Sequence, residues 1–341
     1  MSDRCKDLSR REFVGGLTLT GTAGLLGVEV PPVTAAAEPL ETTRLRISDQ
    51  RAGICVAPAY VAQELLRGEG FTDLQYVRKA TFAERLQGLA NGEVDLLVVF
   101  VSSLVARVSA GDPIVLLAGS HVGCFEVVGG DRVRSIRDLK GKTVAISALG
   151  MPDHLFLSVI LLHVGLDPRR DVNWVAHPTP EAIRLLSDGK IDALLNFPPV
   201  PQELRARKIG HSILNSSTDR PWAQYFCCVV AAHREFVRKY PVATKRALRG
   251  LMKAADVCAL EPERVARFLV DKGYTERHDY ALAALREIPY RRWREYDPED
   301  SVRFYALRLH EAGLIKSSPQ KIISEGTDWR FINELRKELK G

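Results

Sequence analysis

The side chains of this chain that could do chemistry are few, and they stand at the ends of apolar runs. Asp153 and His154 follow Met151-Pro152, between the β-branched run 143–147 and an apolar stretch that stops at Gly165. His121 and Cys124 lie within residues 119–128, and Asn196 closes the apolar run 191–196. Groups of these types recognise a small molecule by hydrogen bonding. A polar amide ending a buried strand needs partners in any case. His121 and His154 have two readings, ligand donor or structural hydrogen-bonding group. Asp153 either caps the helix that starts there or repels an anion placed there. Beyond Cys5 the cysteines are Cys55, Cys124, Cys227, Cys228 and Cys258, an odd and scattered set that makes no disulfide framework. Neighbours on a strand face opposite ways. Cys227 and Cys228, in the strand-like run 225–231, therefore read as small core residues and not as joint metal ligands. Gly-x-Ser-x-Gly, Walker, Gly-x-Gly-x-x-Gly and His-Glu-x-x-His patterns are all missing from the sequence. The expectation is recognition, with no catalytic residue, metal site or cofactor.

The elements that must position these residues repeat. Residues 143–147 form a strand signal, Gly150 and Pro152 break it, and the helix that follows begins at the carboxyl end of the strand. Free N–H groups and the positive end of the helix dipole gather there, where open α/β sheets bind ligands. Residues 45–48, a loop over 49–57 and a helix starting at Pro58 have the same shape. A sharper echo aligns residues 89–100 with 186–197 without gaps, repeating Leu, Gly, Asp, Leu and Phe. Each copy reads as a helix ending at Gly92 or Gly189, then a turn through Asp95 or Asp192 into a strand. The two echoes keep nearly the same offset, which predicts two α/β lobes of similar design facing each other across a cleft. Residues 233–341 read as mostly helical.

The 341 residues are 46% hydrophobic and 26% charged, a globular composition long enough for two cores. Residues 1–37 read as an export leader. They hold a basic start, a weakly apolar Gly- and Thr-rich stretch, and Thr-Ala-Ala-Ala before the cut. Ser-Arg-Arg-Glu-Phe over 9–13, with Arg10 and Arg11, matches the twin-arginine core. Removing the leader takes four charges of each sign, so the formal charge stays +6. The basic residues are scattered, without the stripe or module that nucleic-acid binding needs.

Two stretches carry a resemblance to a known family. Residues 134–145, Arg-Ser-Ile-Arg-Asp-Leu-Lys-Gly-Lys-Thr-Val-Ala, and 189–193, Gly-Lys-Ile-Asp-Ala, resemble the solute-binding proteins of ABC importers in the nitrate, sulfonate, taurine and thiamine-pyrimidine group. The resemblance implies a two-lobed periplasmic-binding-protein fold of type II with two hinge crossings. Lobe I would take residues 44–120 and 226–341, with the C-terminal helices, and lobe II residues 121–225. It implies a monomeric periplasmic receptor, no enzyme, that closes on a small organic or oxyanion solute of the sulfonate, nitrate or pyrimidine class, a neutral heterocycle being as open as an anion, and delivers it to a permease and its ATPase. By position the pocket would draw on Ile54, Cys55, Ala57, Pro58 and Tyr60 from the first loop. Phe100, Ser102 and Ser103 would come from the strand end that follows, one of the serines capping a helix, and His121 and Cys124 from the crossing. The second lobe would add Leu149, Gly150, Met151, Asp153 and His154, then Asn196, Phe197 and Pro198. Tyr225 and Phe226 would come from the return crossing. Two alternatives share the fold. One is a thiamine-pyrimidine synthase-like enzyme using iron, of whose Cys-rich run only Cys227-Cys228 is present. The other is a ligand-sensing periplasmic receptor.

Overall fold

The computed structural model describes residues 38–50 and 53–339. The expected leader with Arg10 and Arg11 lies outside them. From Pro39 onward the chain forms one compact unit. Its first strands are β1 (Arg44–Asp49), β2 (Asp73–Arg78), β3 (Leu96–Phe100), β4 (Ile114–Val122) and β5 (Glu126–Gly129). Then come β6 (Thr143–Ile146), β7 (Asn173–Ala176), β8 (Ala193–Asn196), β9 (His211–Asn215) and β10 (Phe226–His233). They make two five-stranded sheets, ordered β2-β1-β3-β10-β4 and β7-β6-β8-β5-β9. In each sheet three strands are parallel and the remaining pairings are antiparallel. The chain crosses between the sheets after β4 and returns into β10.

The echo in the sequence is physical. The Asp95 carboxylate accepts the Arg46 backbone N–H at 2.8 Å, and Asp192 accepts that of Thr143 at 3.0 Å, each across 49 residues. Gly92 and Gly189 end their helices at φ 70° and 66°, a left-handed conformation that glycine adopts without a Cβ penalty. Each copy thus turns out of its helix and ties the incoming strand to the first strand of its sheet.

β3 and β4 are buried along their whole lengths, as befits strands covered on both faces. The Pro241–Leu260 helix packs on the helices Ala57–Val61 and Gln63–Gly68 of the first loop. Beside this contact the Glu69 carboxylate, only 8% exposed, accepts from Arg249 at 2.5 Å and from Lys253 at 3.2 Å. Tyr290 and Trp293, in the Tyr290–Arg294 turn, are fully buried. The main apolar core runs through both sheets and the C-terminal helices, and a smaller one lies against the second sheet.

One local expectation fails. The Val101–Ser109 helix follows β3 without a loop, so Phe100 is its N-cap residue and no side chain caps it. Ser102 and Ser103 sit two and three positions too late to cap; both are buried in the first turn.

Candidate functional site

The carboxyl ends of the parallel strands in the two sheets meet at one seam. Phe100 ends β3, Phe197 follows β8, and the sequence echo makes these two residues equivalent. Their rings lie 5.3 Å apart. Phe125, on the crossing between β4 and β5, packs 4.7 Å from Phe100 and 6.1 Å from Phe197. Phe156, in the Pro152–His163 helix, packs 5.0 Å from Phe125. The seam is therefore an aromatic cluster drawn from both sheets and the crossing.

On the first-sheet side, the loop after β1 turns through a 3-10 segment (Ile54–Val56) into the Ala57–Val61 helix. Ile54, Cys55, Ala57, Pro58 and Tyr60 are all buried there. Tyr60 stacks on Tyr274 at 3.9 Å, and its buried hydroxyl has no hydrogen-bond partner. Burial, with Asp49 nearby, pushes that phenol well above its ordinary range. The hydroxyls of Ser48, Ser103 and Ser120 are likewise buried without a partner. Arg85 lies over the Phe82 ring at 5.6 Å, and Phe82 packs 6.4 Å from Phe100. The Arg85 Nε is buried and unpaired, and desolvation lowers the pKa of the guanidinium against the pull of Tyr60 and Asp49. A cation and several hydroxyls with unused hydrogen-bonding capacity thus sit beside the seam.

The second-sheet side is more open. Leu149 is 70% exposed, Gly150 is exposed and Met151 half-buried. Asp153 does not point outward as a ligand group. Its carboxylate reaches back to the Ser147 N–H at 2.5 Å and accepts the His154 N–H at 3.0 Å. His154 Nδ1 accepts the Gly150 N–H at 3.1 Å, its ring edge meets Trp174 at 5.1 Å, and burial lowers its pKa. It is a neutral structural histidine. Asn196 is half-buried and its amide oxygen accepts the Phe197 N–H at 2.9 Å; Pro198 beside it is buried. Tyr225 and Phe226 are drawn the other way. Tyr225 stacks on Phe304 at 4.0 Å, and the Phe226 N–H donates to Ser301 at 2.8 Å, so both fasten the return crossing to the Pro298–Glu311 helix.

Cysteines scattered along the sequence come together in the fold. Cys55, Cys124, Cys227 and Cys228 converge with His121 at the first-sheet edge of the seam, every one at least 96% buried. Of the two neighbours on β10, Cys228 has its sulfur within 4.8 Å of Cys55, Cys124 and His121 together and Cys227 stands outside that set, so the two are not joint members of it. Cys124 Sγ lies 3.0 Å from Cys227 Sγ. Burial opposes ionisation of both Cys227 and Cys228, yet hydrogen bonding from Cys124 brings Cys227 down to about 7 and lowers Cys228. At His121 burial works against the charged ring, and the neighbouring Cys228 outweighs it, raising the imidazole to about 10. At Cys55 hydrogen bonding with Cys124 works to lower the pKa, but the hydrogen bond with Cys228, together with burial, outweighs it and pushes the thiol up to about 11.

Sequence reasoning did not find Phe125, Phe156, Ser48, Arg85 or Tyr290 as part of this region. The signal for Phe125 was a large aromatic on a crossing already placed between lobes. Tyr290, whose hydroxyl donates to the Ile54 carbonyl at 2.7 Å, is too far along the chain to be placed without the fold. Two surface hollows, of about 270 and 240 Å³, lie elsewhere, around Arg46 and His233 and around Arg220 and Arg292.

Comparison with known proteins follows the same lines. The model of the NMT1-like family matches residues 52–269. The bicarbonate-binding protein CmpA of Synechococcus elongatus is 28% identical over 100 residues, which are 29% of this chain and 22% of that protein's length. Among solved structures, the periplasmic nitrate-binding protein NrtA from Synechocystis superposes with a TM-score of 0.73 at 15% identity, covering 89% of this chain and 90% of that one. The periplasmic aliphatic sulphonate-binding protein SsuA from Escherichia coli gives 0.67 at 18% identity, covering 82% and 91%. The fold is thus that of periplasmic binding proteins, and with the family model matching well over half of its length the chain belongs to the NMT1-like family.

Proposed function

We propose that this chain is the solute-capturing receptor of an ABC importer, working in the periplasm after export through its twin-arginine leader. It takes up a small organic anion or oxyanion between its lobes and hands it to a permease. The observation that carries this reading is the meeting of Phe100 and Phe197, equivalent residues at equivalent strand ends of the two sheets. Ligands of open α/β sheets sit at such carboxyl edges. A solute touching both sheets is bound better when they are together, so it shifts the population toward closure. Binding needs no covalent step, and no enzymatic role is assigned.

Bicarbonate, nitrate and sulphonate are what the similar proteins are named for, and all are anions. Arg85 is the cation best placed to meet one here, with Tyr60, Ser48 and Ser103 as neutral donors. A hydrogen bond to a charged group contributes about 1.5–3 kcal/mol. Arg85→Gln should therefore weaken the best solute about tenfold or more, and Tyr60→Phe should weaken it less. Titration calorimetry against bicarbonate, nitrate and a series of sulphonates checks this. Binding left unchanged by Arg85→Gln would remove the anion from this place. For the leader, exchanging Arg10 and Arg11 for lysines should leave the chain in the cytoplasmic fraction; periplasmic recovery of that variant would contradict the twin-arginine route.

A further inference from the structure

We propose that Cys55, His121, Cys124 and Cys228 form a closed structural site for one thiophilic divalent cation of zinc's class. The three Sγ atoms and an imidazole nitrogen all lie within 4.8 Å of one another. Donors around a tetrahedral zinc are about 3.7 Å apart, given Zn–S bonds near 2.3 Å, so the set closes on an ion by shifts of roughly an ångström at most.

His121 is already arranged as a ligand. Its Nδ1 lies 3.3 and 3.2 Å from the carbonyl oxygens of Val122 and Gly123. Carbonyls only accept, so Nδ1 carries the proton, and Nε2, buried and without a partner, is left to face the thiols. Metal-bound histidines are oriented in this way by a backbone carbonyl on the far nitrogen. The other donors are held as firmly. Gly123, at φ 48°, turns the chain between His121 and Cys124 where a Cβ would lie 2.2 Å from the Ser216 carbonyl oxygen. The Cys124 N–H donates to Ser216 Oγ at 3.0 Å. Cys228 faces His121 across the β4–β10 pair. Tyr290 packs against the His121 ring at 5.7 Å and holds the Ile54 carbonyl, next to Cys55.

Thiolates and imidazole select zinc over magnesium or calcium. Full burial with four protein donors leaves no open coordination position, which is the mark of a structural site and not of a catalytic one. Binding displaces whatever protons the three sulfurs and His121 Nε2 carry in the metal-free chain, and these leave with the solvent. The ion then ties the first loop, at Cys55, to β4 and the crossing after it, at His121 and Cys124, and to β10, at Cys228. This site does not depend on solute capture, and neither proposal falls with the other.

The test uses the full chain purified under reducing conditions. Zinc is quantified by inductively coupled plasma mass spectrometry, and cobalt replaces it for absorption spectroscopy. The proposal expects about one zinc per chain and a thiolate-to-cobalt charge-transfer band. Cys228→Ser and Cys124→Ser should each lower zinc affinity at least tenfold and weaken the band, while Cys227→Ser, outside the donor set, should keep both. Should the cysteine variants fail to fold, His121→Gln, with its altered ligand-field spectrum, serves in their place. A reduced, folded chain that takes up neither zinc nor cobalt would overturn the site. So would a Cys124–Cys227 disulfide in the chain as isolated from the periplasm, since it would occupy the Cys124 sulfur.

Discussion

At Tyr60 the ring and the hydroxyl are treated differently. The ring stacks on Tyr274, as an aromatic in a core should, while the hydroxyl is buried and unpaired. An unpaired buried hydroxyl costs about 1–3 kcal/mol, and a solute that accepts from it recovers that loss. Glu69 is the opposite case, a nearly buried carboxylate with its charge matched. Burial would raise its pKa, but hydrogen bonds from Arg249 and Lys253 outweigh burial and hold it below the ordinary 4.5. A carboxylate with a depressed folded-state pKa stabilises the fold above its unfolded value and loses that contribution as the pH falls through the folded value. Glu69→Gln should thus lower stability at pH 7 by about 1–3 kcal/mol, since a hydrogen bond to a charged group is lost. The gap from the wild type should narrow below about pH 4.5. Urea unfolding at both pH values checks it; a gap independent of pH would mean that the pair contributes shape and not charge.

Among the elements, the helix Val200–Ala206 and the helix His278–Glu287 deserve comparison across the seam. Arg205 binds Glu126 of β5 at 2.5 Å and Glu287 at 2.6 Å, and Gln202 adds a bond to Glu287 at 2.8 Å. Glu126 is buried, so Arg205 is needed to neutralise it, and removing Arg205 would strand a buried charge. The Glu287 arm is different: both of its partners are two-fifths exposed, and such pairs contribute no more than about 1 kcal/mol. That is too little to hold the fold, yet enough to bias a two-state closure. Glu287→Gln should leave the melting temperature nearly unchanged and shift the chain toward a more extended average shape without solute. Small-angle scattering measures this; an unchanged scattering curve would confine Arg205 to a purely structural role with Glu126.

For the whole molecule, a good part of the architecture was legible in the sequence because it is repeated. The Leu-Gly-Asp-Phe echo marks a helix end, a turn and a strand, and Asp95 and Asp192 do the same work in both sheets. Phe100 and Phe197 were expected at the cleft for that reason, and they meet. The rest depended on contacts that local pattern does not encode. Tyr225 and Phe226 were placed in the cleft, but the C-terminal helix Pro298–Glu311 captures them. Asp153 and His154 had two readings each, a place in the pocket or a structural role, and the loop ahead of their helix uses both. The thiol cluster was hidden by an irregular strand pairing and by one left-handed glycine, Gly123. Arg85 carries no local signal of its own, and only the fold brings it beside Tyr60.

Closure of the two sheets on a small anion can be read by native mass spectrometry of the chain taken gently from the periplasm, before and after denaturation. A defined small anionic mass is expected on the native chain, lost on denaturation and lost from Arg85→Gln under the same conditions. The proposed metal would register as a separate increment that Arg85→Gln retains. A wild-type chain without a small-molecule mass, and still without one after incubation with bicarbonate, nitrate and sulphonates, would contradict closure on an anion.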